Sequence, residues 1–256
     1  MDLIFLAIST VIFWIGSVIA WRSLISGQGA SGGLNLAIAA AGFLFQCLFL
    51  QQRGELHHRC PITNGPEVLV FVGWSTVMLY LILGRAFRLS LLGVFSMPLV
   101  AIFQSIATVL LLINDPGPRP TETLDPWLEM HAAMSLLAYG AFGLSCIAGI
   151  MYLVQDGKLK RRQTGGIFRQ LPPIRYLSDA MIRLLMIGLL LLTLGIISAF
   201  FMQATATPIH LLVLGAVWLA YAVILSLHFL HRLAAKRCSL VMIGAFVFAV
   251  ITLAVL

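Results

Sequence analysis

Histidine is the residue type in this sequence that is best suited to proton transfer and metal binding. Imidazole exchanges protons near neutral pH, and it is the nitrogen ligand that most often holds haem iron and other metals. The chain has six histidines, and all of them stand near the ends of long apolar runs: His57, His58, His131, His210, His228 and His231. We therefore expect any imidazole chemistry at the ends of helices rather than in their middles.

A single carboxylate stands where another apolar run begins. Glu67 opens the run that continues to Leu83. An ionisable group at the edge of hydrocarbon is costly, so it usually faces the inside of a helix bundle or the polar head groups and often marks function. Glu67, Phe71 and Trp74 stand at i, i+4 and i+7 and therefore share one helix face. The preceding Pro61 and Asn64 predict a turn that leads into this helix.

Composition determines the class of protein to which these residues belong. The chain of 256 residues is 61% hydrophobic and only 10% charged, whereas soluble domains carry about 25% charged residues. Its apolar runs are continuous rather than alternating, which argues against a membrane β-barrel. The sequence predicts an all-α fold, a polytopic integral membrane helical bundle, organised as a single domain over residues 1–256.

About eight runs are long enough to cross roughly 30 Å of hydrocarbon as helices. The predicted spans are Leu3–Trp21, Leu34–Leu50, Val68–Leu83, Leu91–Ile113, Ala132–Val154, Leu184–Met202, Leu211–Leu230 and Ser239–Leu256. The first run has Asp2 in place of a basic leader and Arg22 after it, so we expect a retained span rather than a secretory signal. Ile174–Arg183 is predicted to be an amphipathic helix on the membrane surface.

Loop charges orient the predicted bundle. Only Arg53, Arg59 and Arg119, out of sixteen lysines and arginines, fall in one set of loops, and the rest fall in the alternate set. The positive-inside rule places the basic set in the cytoplasm, so both termini are expected outside. The net charge of +7 is explained by these loops, which meet anionic membrane lipid. A nucleic-acid partner is not needed to explain it.

The turn before Glu67 carries a recognisable pattern. Pro61, Asn64, Glu67, Phe71 and Trp74 match the spacing of the segment Pro-Leu-Ser-Asn-x-x-Glu-Ser-Leu-x-Phe-x-x-Trp in the cytochrome c assembly family. The chain resembles that family, and within it the HemX- and YpjD-type branch, most strongly over residues 60–256.

Two later segments resemble the same family. The stretch from His131 to Tyr139 looks like the family's His-Val-x-x-Met-x-x-Ser-Tyr-Ala segment, whose histidine is an external haem-ligand position. The run that contains Trp218 looks like the family's penultimate helix, which ends in a membrane-embedded histidine in haem exporters. His228 falls two residues later than that histidine, so the correspondence is approximate.

The resemblance implies a function in the maturation of c-type cytochromes. It implies a multi-pass protein of the bacterial cytoplasmic membrane that handles or presents haem, with haem b as the expected cofactor. His131, His210 and His228 are then the candidate haem-binding residues, and a CcsB-like membrane protein and apocytochrome c are the expected partners. No catalytic residue stands out, so the chain is at most part of a haem-attachment complex.

The sequence departs from the family pattern at two places. The segment Gln203–Ile209 has no tryptophan, where the family has a tryptophan-rich loop that offers aromatic surface to haem. The sequence also reaches Leu256 within an apolar run, without the family's second external histidine. Either that ligand is absent, or His210, His57 or His58 replaces it.

The seventh predicted span has a geometry of its own. His210 and His228 are 18 residues apart, which is five helical turns, so they share one face and lie roughly 27 Å apart along the axis. One interpretation is two haem stations or a route for haem. The other is an ordinary packed helix whose polar ends reach the membrane surface.

Other kinds of site are weakly supported. The segment Glu55–Cys60 brings carboxylate, imidazole and thiol groups close together, but its spacing matches no zinc pattern, so we expect no metal site. The four cysteines include no CxxC, which argues against a thioredoxin-like role. If haem binds outside, Arg53 and Arg59 are candidates to pair with its propionates.

Two other function classes remain open. A HemX-type regulatory or scaffold protein of haem metabolism would need no stable haem, and the basic segment Lys158–Arg162 could dock a cytoplasmic partner. An ion or small-solute transporter would need paired charges or broken helices inside the membrane. The predicted spans are nearly free of charge, which disfavours the transporter.

Overall fold

The computed structural model describes residues 2–26, 32–86, 92–113, 125–162, 172–202 and 208–255. Within these ranges the secondary structure is helical and there is no strand. The helices are α1 (Asp2–Ser26), α2 (Gly32–His57), α3 (Gly65–Ala86), α4 (Leu92–Ile113), α5 (Pro126–Lys160), α6 (Ile174–Ala199), α7 (Pro208–Phe229) and α8 (Ala235–Val255).

All eight helices contain a segment that is long and apolar enough to cross a membrane. This confirms the prediction of an all-α, multi-pass membrane protein with about eight spans. The longest helix, α5, has 35 residues and is about 52 Å long at 1.5 Å per residue, so it extends beyond the hydrocarbon. The side of the membrane on which each terminus lies stays a prediction.

The predicted surface helix at Ile174–Arg183 is the clearest difference from expectation. The structure has one continuous helix, Ile174–Ala199, instead of a surface helix followed by a span. Neither Gly nor Pro interrupts this segment before Gly188. Leu177, Met181 and Leu184 are buried at helical spacing across the expected boundary, so one apolar face runs through it and keeps the helix intact.

The described residues form two compact units. The first unit contains α1–α4, in which α1 packs against α2 and α4, and α3 packs against α4. Close approach of α1 and α2 depends on small residues: a Cβ at Gly42 would lie 2.6 Å from the Phe13 ring. The Ser9 hydroxyl donates a 3.0 Å hydrogen bond to the Gly42 carbonyl at the same crossing.

The second unit contains α5–α8 and is built around α5. This helix packs along α6 and also against α8, while α7 packs against α6 and α8. Phe142 of α5 stacks on Tyr221 of α7, with ring centroids 3.8 Å apart. A Cβ built at Gly188 of α6 would lie 2.5 Å from the same Phe142 ring. The prediction that residues 1–256 form a single domain stays a prediction.

Gly188→Ala tests whether the Phe142 packing stabilises the second unit. The added methyl would overlap the Phe142 ring, and overpacking of this kind lowers the free energy of unfolding by about 1–3 kcal/mol. Gly215→Ala is the matched control, because a Cβ at Gly215 meets nothing within 4 Å. Unfolding in mixed micelles should show a lower midpoint for Gly188→Ala only. Equal midpoints for the two variants would contradict this packing.

Candidate functional site

The turn before α3 is held by reciprocal hydrogen bonds between its polar residues. The Asn64 Oδ1 accepts the Glu67 N–H at 3.0 Å and so caps the first turn of α3. The Glu67 Oε2 accepts the Thr63 N–H at 3.0 Å and the Thr63 hydroxyl at 2.9 Å. Two of the motif residues, Asn64 and Glu67, therefore shape the turn in the manner of a capping box.

The other oxygen of Glu67 faces positive and titratable groups on α2. The Glu67 Oε1 lies 3.4 Å from the His57 Nε2 and 3.9 Å from the Arg53 Nε. The Arg53 Nε also lies 3.0 Å from the Asp2 Oδ2 of α1. The side chains of Arg53 and Glu67 are 1% and 0% exposed, so each charge is compensated by a neighbour rather than by water. Asp2, Arg53, His57 and Glu67 are called the charged cluster below.

The charged cluster changes the role expected for Arg53. From the sequence it was a candidate partner for propionates outside the membrane, but its guanidinium is buried against Asp2 and Glu67. No sequence pattern indicated the contact between Arg53 and Asp2. The one indication that Arg53 is buried was its position, because it continues the buried stripe of α2 that contains Gly42, Gln46 and Phe49.

The aromatic residues of the motif pack α2 against α3. Trp74 stacks on Phe43 with ring centroids 5.6 Å apart and lies 5.2 Å from the Phe71 ring. Its indole N–H donates to the Cys47 sulfur at 3.2 Å. Trp74 and Phe71 thus position the helix that begins at Glu67.

His131 has the most defined environment among the candidate ligands. It lies in the second turn of α5, which begins where the Asp125 carboxylate accepts the Trp127 N–H at 3.0 Å. The residue is 5% exposed, and its Nδ1 is 2.7 Å from the Gly195 carbonyl oxygen of α6. A carbonyl only accepts, so Nδ1 carries a proton, and in the neutral ring the lone pair is on Nε2.

Small residues make this contact possible. A Cβ at Gly195 would lie 2.7 Å from the Ser135 hydroxyl and 3.4 Å from the His131 carbonyl oxygen, so only glycine lets α6 come this close to α5. An N–H donated to a backbone carbonyl is the arrangement that fixes the ring of a metal-ligating histidine. Sequence reasoning selected His131 but missed Gly195, which has no motif.

The two candidate histidines of α7 are described to different extents. The backbone of His210 lies in the first turn of α7, and its side chain is outside the described atoms. His228 is half-buried near the other end of α7, and its Nδ1 has no hydrogen-bond partner within the described part of the chain. Trp218 lies between them and donates to the Thr193 hydroxyl of α6 at 2.9 Å.

Three other residues discussed in the sequence analysis, Tyr139, Pro61 and His58, also fall within the described part of the structure. Tyr139 is 3% exposed, in the middle of α5, and Pro61 lies in the turn that Asn64 caps. His58 is exposed and has a positive φ of 52°. Among the described residues, no three histidine, cysteine or acidic side chains are arranged to hold a metal ion.

Comparison with known proteins identifies relatives of this chain. Residues 62–256 match the family model described as cytochrome C assembly protein. Protein HemX of Brevibacillus brevis is 27% identical over 195 residues, which cover 76% of this chain and 69% of that protein. Protein HemX of Bacillus subtilis is 28% identical over 188 residues, covering 71% of this chain and 68% of that protein.

A second group of relatives is longer. Cytochrome c biogenesis protein CcsA of Microcystis aeruginosa is 29% identical over 177 residues, which cover 64% of this chain and 50% of that protein. The match therefore spans about half of CcsA. The whole of α1 and α2, including Asp2 and Arg53, lies before the residues that match the family model.

Arg53→Met tests whether the charged cluster stabilises the first unit. Removing Arg53 leaves the buried Glu67 carboxylate without its cationic neighbour, and breaking a buried pair in this way costs about 3–5 kcal/mol. The control is Lys160→Met. It breaks the 2.7 Å pair with Asp156, in which Lys160 is 61% exposed, and an exposed pair contributes about 0–1 kcal/mol.

The measurement is the free energy of unfolding in mixed micelles. Adding Glu67→Gln to Arg53→Met should restore part of the unfolding free energy that Arg53→Met loses, because a neutral amide does not need a cation beside it. Equal unfolding free energies for Arg53→Met and Lys160→Met would show that the cluster contributes nothing to stability.

Proposed function

Because this chain belongs to the family of cytochrome c assembly proteins, we propose that it handles haem for the maturation of c-type cytochromes. It is a multi-pass membrane protein of the cytochrome c assembly type. In the proposal haem is the cargo, held through iron and presented at the membrane surface, and the protein performs no bond-making step of its own. The proposed haem is haem b.

The hydrogen bond from His131 to the Gly195 carbonyl is the observation that carries this proposal. It fixes the ring in the tautomer that has its lone pair on Nε2, which is the nitrogen that would coordinate iron. It also links that ring to α6, so the orientation of the ligand depends on two packed helices rather than on one side-chain rotamer. A histidine that only capped the end of a helix would not need this contact.

His210 and His228 are proposed as further haem-binding residues. Both lie on α7, which packs against α6, the helix whose Gly195 binds His131. His210, near the start of α7, is the proposed second external ligand. His228, with a buried Nδ1 that has no partner among the described residues, is the proposed station at the opposite end.

The site of action follows from the loop charges. Their distribution predicts that His131 and His210 lie at the outer face and His228 near the cytoplasmic face. We propose that the protein works in the cytoplasmic membrane of a bacterium. A CcsB-like membrane protein and apocytochrome c are its proposed partners there, since apocytochrome c would supply the thiols to which haem becomes attached.

A regulatory or scaffold role in haem metabolism is the second candidate. The matches to the two HemX proteins cover more than two thirds of their lengths, whereas the match to CcsA covers half. The segment Gln203–Ile209 also has no tryptophan where haem-exporting members have several. In this role the protein would bind no haem stably.

Visible spectra of purified variants separate the two candidates. His131→Gly should lose the b-type bands that the unaltered protein shows after hemin is added, and imidazole in the buffer should restore them by entering the vacated position. A role in packing alone predicts no restoration by imidazole. His231→Asn is the control, because His231 is exposed and has a positive φ of 54°, which Asn tolerates.

The same spectra assign the second ligand. His210→Ala should convert a bis-histidine spectrum into that of haem with one histidine, while His228→Ala should leave the external site unchanged. Failure of the unaltered protein to bind hemin would contradict haem handling and favour the regulatory role.

A further inference from the structure

Three polar residues interrupt the apolar face that α2 presents to the inside of the first unit. Asn35, Gln46 and Arg53 belong to the buried stripe of this helix and are 2%, 0% and 1% exposed. Arg53 belongs to the charged cluster at one end of the helix. Gln46 lies near the middle of α2, far from either end, where hydrocarbon surrounds the unit and water is least available.

Gln46 is fully buried, and its amide lacks protein partners. Neither its Nε2 nor its Oε1 has a hydrogen-bond partner within the described part of the chain. A buried amide whose hydrogen bonds are all unmade is strongly destabilising, because its desolvation is not offset. Such a group is rare in native structures and requires an explanation, and a bound water or ion is one that would complete its hydrogen bonds.

A second set of buried polar residues lies close to Gly42, one turn of α2 from Gln46. Gly42, one turn earlier on α2, accepts a 3.0 Å hydrogen bond from the Ser9 hydroxyl of α1. The same hydroxyl accepts the Gln104 Nε2–H of α4 at 3.2 Å. Ser9 and Gln104, both 0% exposed, thus form a second buried polar group at about the level of Gln46.

We propose that Gln46 binds water in the interior of the α1–α4 unit. The chemistry of the amide selects this ligand. Its Oε1 needs a donor and its Nε2 needs an acceptor, and water supplies both. A metal cation would serve the oxygen only and would repel the amide hydrogens, whereas an anion would serve the nitrogen only. The proposal does not depend on haem handling, because none of its residues is among the candidate haem ligands.

Gly73 of α3 faces the Gln46 amide without a side chain, and we place the water on this side. A Cβ built at Gly73 would lie 3.6 Å from the Gln46 Nε2 and 3.4 Å from a methyl of Val100. These are ordinary contact distances, so an alanine methyl at position 73 would reach the side of the Gln46 amide that faces α3. A polar site needs space of about one water and two to four polar partners, and the two ends of the Gln46 amide supply the first two.

Water-edited NMR of the full-length, 15N-labelled protein in lipid nanodiscs tests the proposal. The probe is water itself, whose magnetisation is transferred to nearby N–H groups. The side-chain amide of Gln51, which is exposed, is the hydrated reference, and the backbone amide of Ala148, which is 0% exposed, is the dry reference. Gln46→Met identifies the Gln46 side-chain signals by their loss.

The expected result is transfer to the Gln46 amide as fast as transfer to Gln51, and loss of this transfer in Gly73→Ala, whose methyl would occupy the place of the water. Gly215→Ala is the matched control and should leave the transfer unchanged. Transfer to Gln46 as slow as to Ala148 in the unaltered protein would overturn the proposal. Fast transfer that survives in Gly73→Ala would overturn the position assigned to the water.

A cation at Gln46 is a distinct outcome of the same experiment. It would be detected as a change in the Gln46 amide shifts when sodium and potassium salts are replaced by an organic cation too large to enter. That change would overturn water as the ligand. Unchanged shifts together with fast transfer support it.

Discussion

Hydrocarbon offers no hydrogen bonds, so a polar group that this chain carries into the membrane must find its partner in the protein or in water bound within it. The charged cluster meets this constraint at the end of the first unit, where Glu67 faces Arg53 and His57. The His131–Gly195 hydrogen bond meets it in the second unit. Both contacts join different helices, so the same bonds that satisfy polar groups also determine which helices pack together.

Glycine has a matching role, because it allows the close approaches that these bonds require. Gly195 allows the His131 ring to reach the backbone of α6, and Gly188 leaves room for the Phe142 ring that stacks on Tyr221. An imidazole fixed in this way keeps one tautomer, which is what a residue needs if it is to hold iron reproducibly. The proposed haem site therefore depends on helix packing as much as on the identity of the histidine.

Much of the fold could be predicted from the sequence, because an apolar run of about 20 residues has few alternatives to a membrane helix. The turn from Pro61 to Glu67 was also predictable, since its hydrogen bonds are local. The contact of Arg53 with Asp2 was not, because it joins residues 51 positions apart and neither belongs to the family motif. Gly195 escaped notice for the same reason. The surface helix expected at Ile174–Arg183 was wrong because its charges suggested a boundary that the buried face crosses without a break.

The central claim is that this protein holds haem, and the most direct test is to measure the haem in the unaltered protein as it is purified. The protein would be extracted from membranes of cells that make ample haem, and haem and polypeptide would be quantified together by the pyridine haemochrome method. The account predicts a stoichiometric amount of non-covalent haem b with a b-type reduced spectrum. A folded, helical protein that purifies without haem and takes up no added hemin would contradict it.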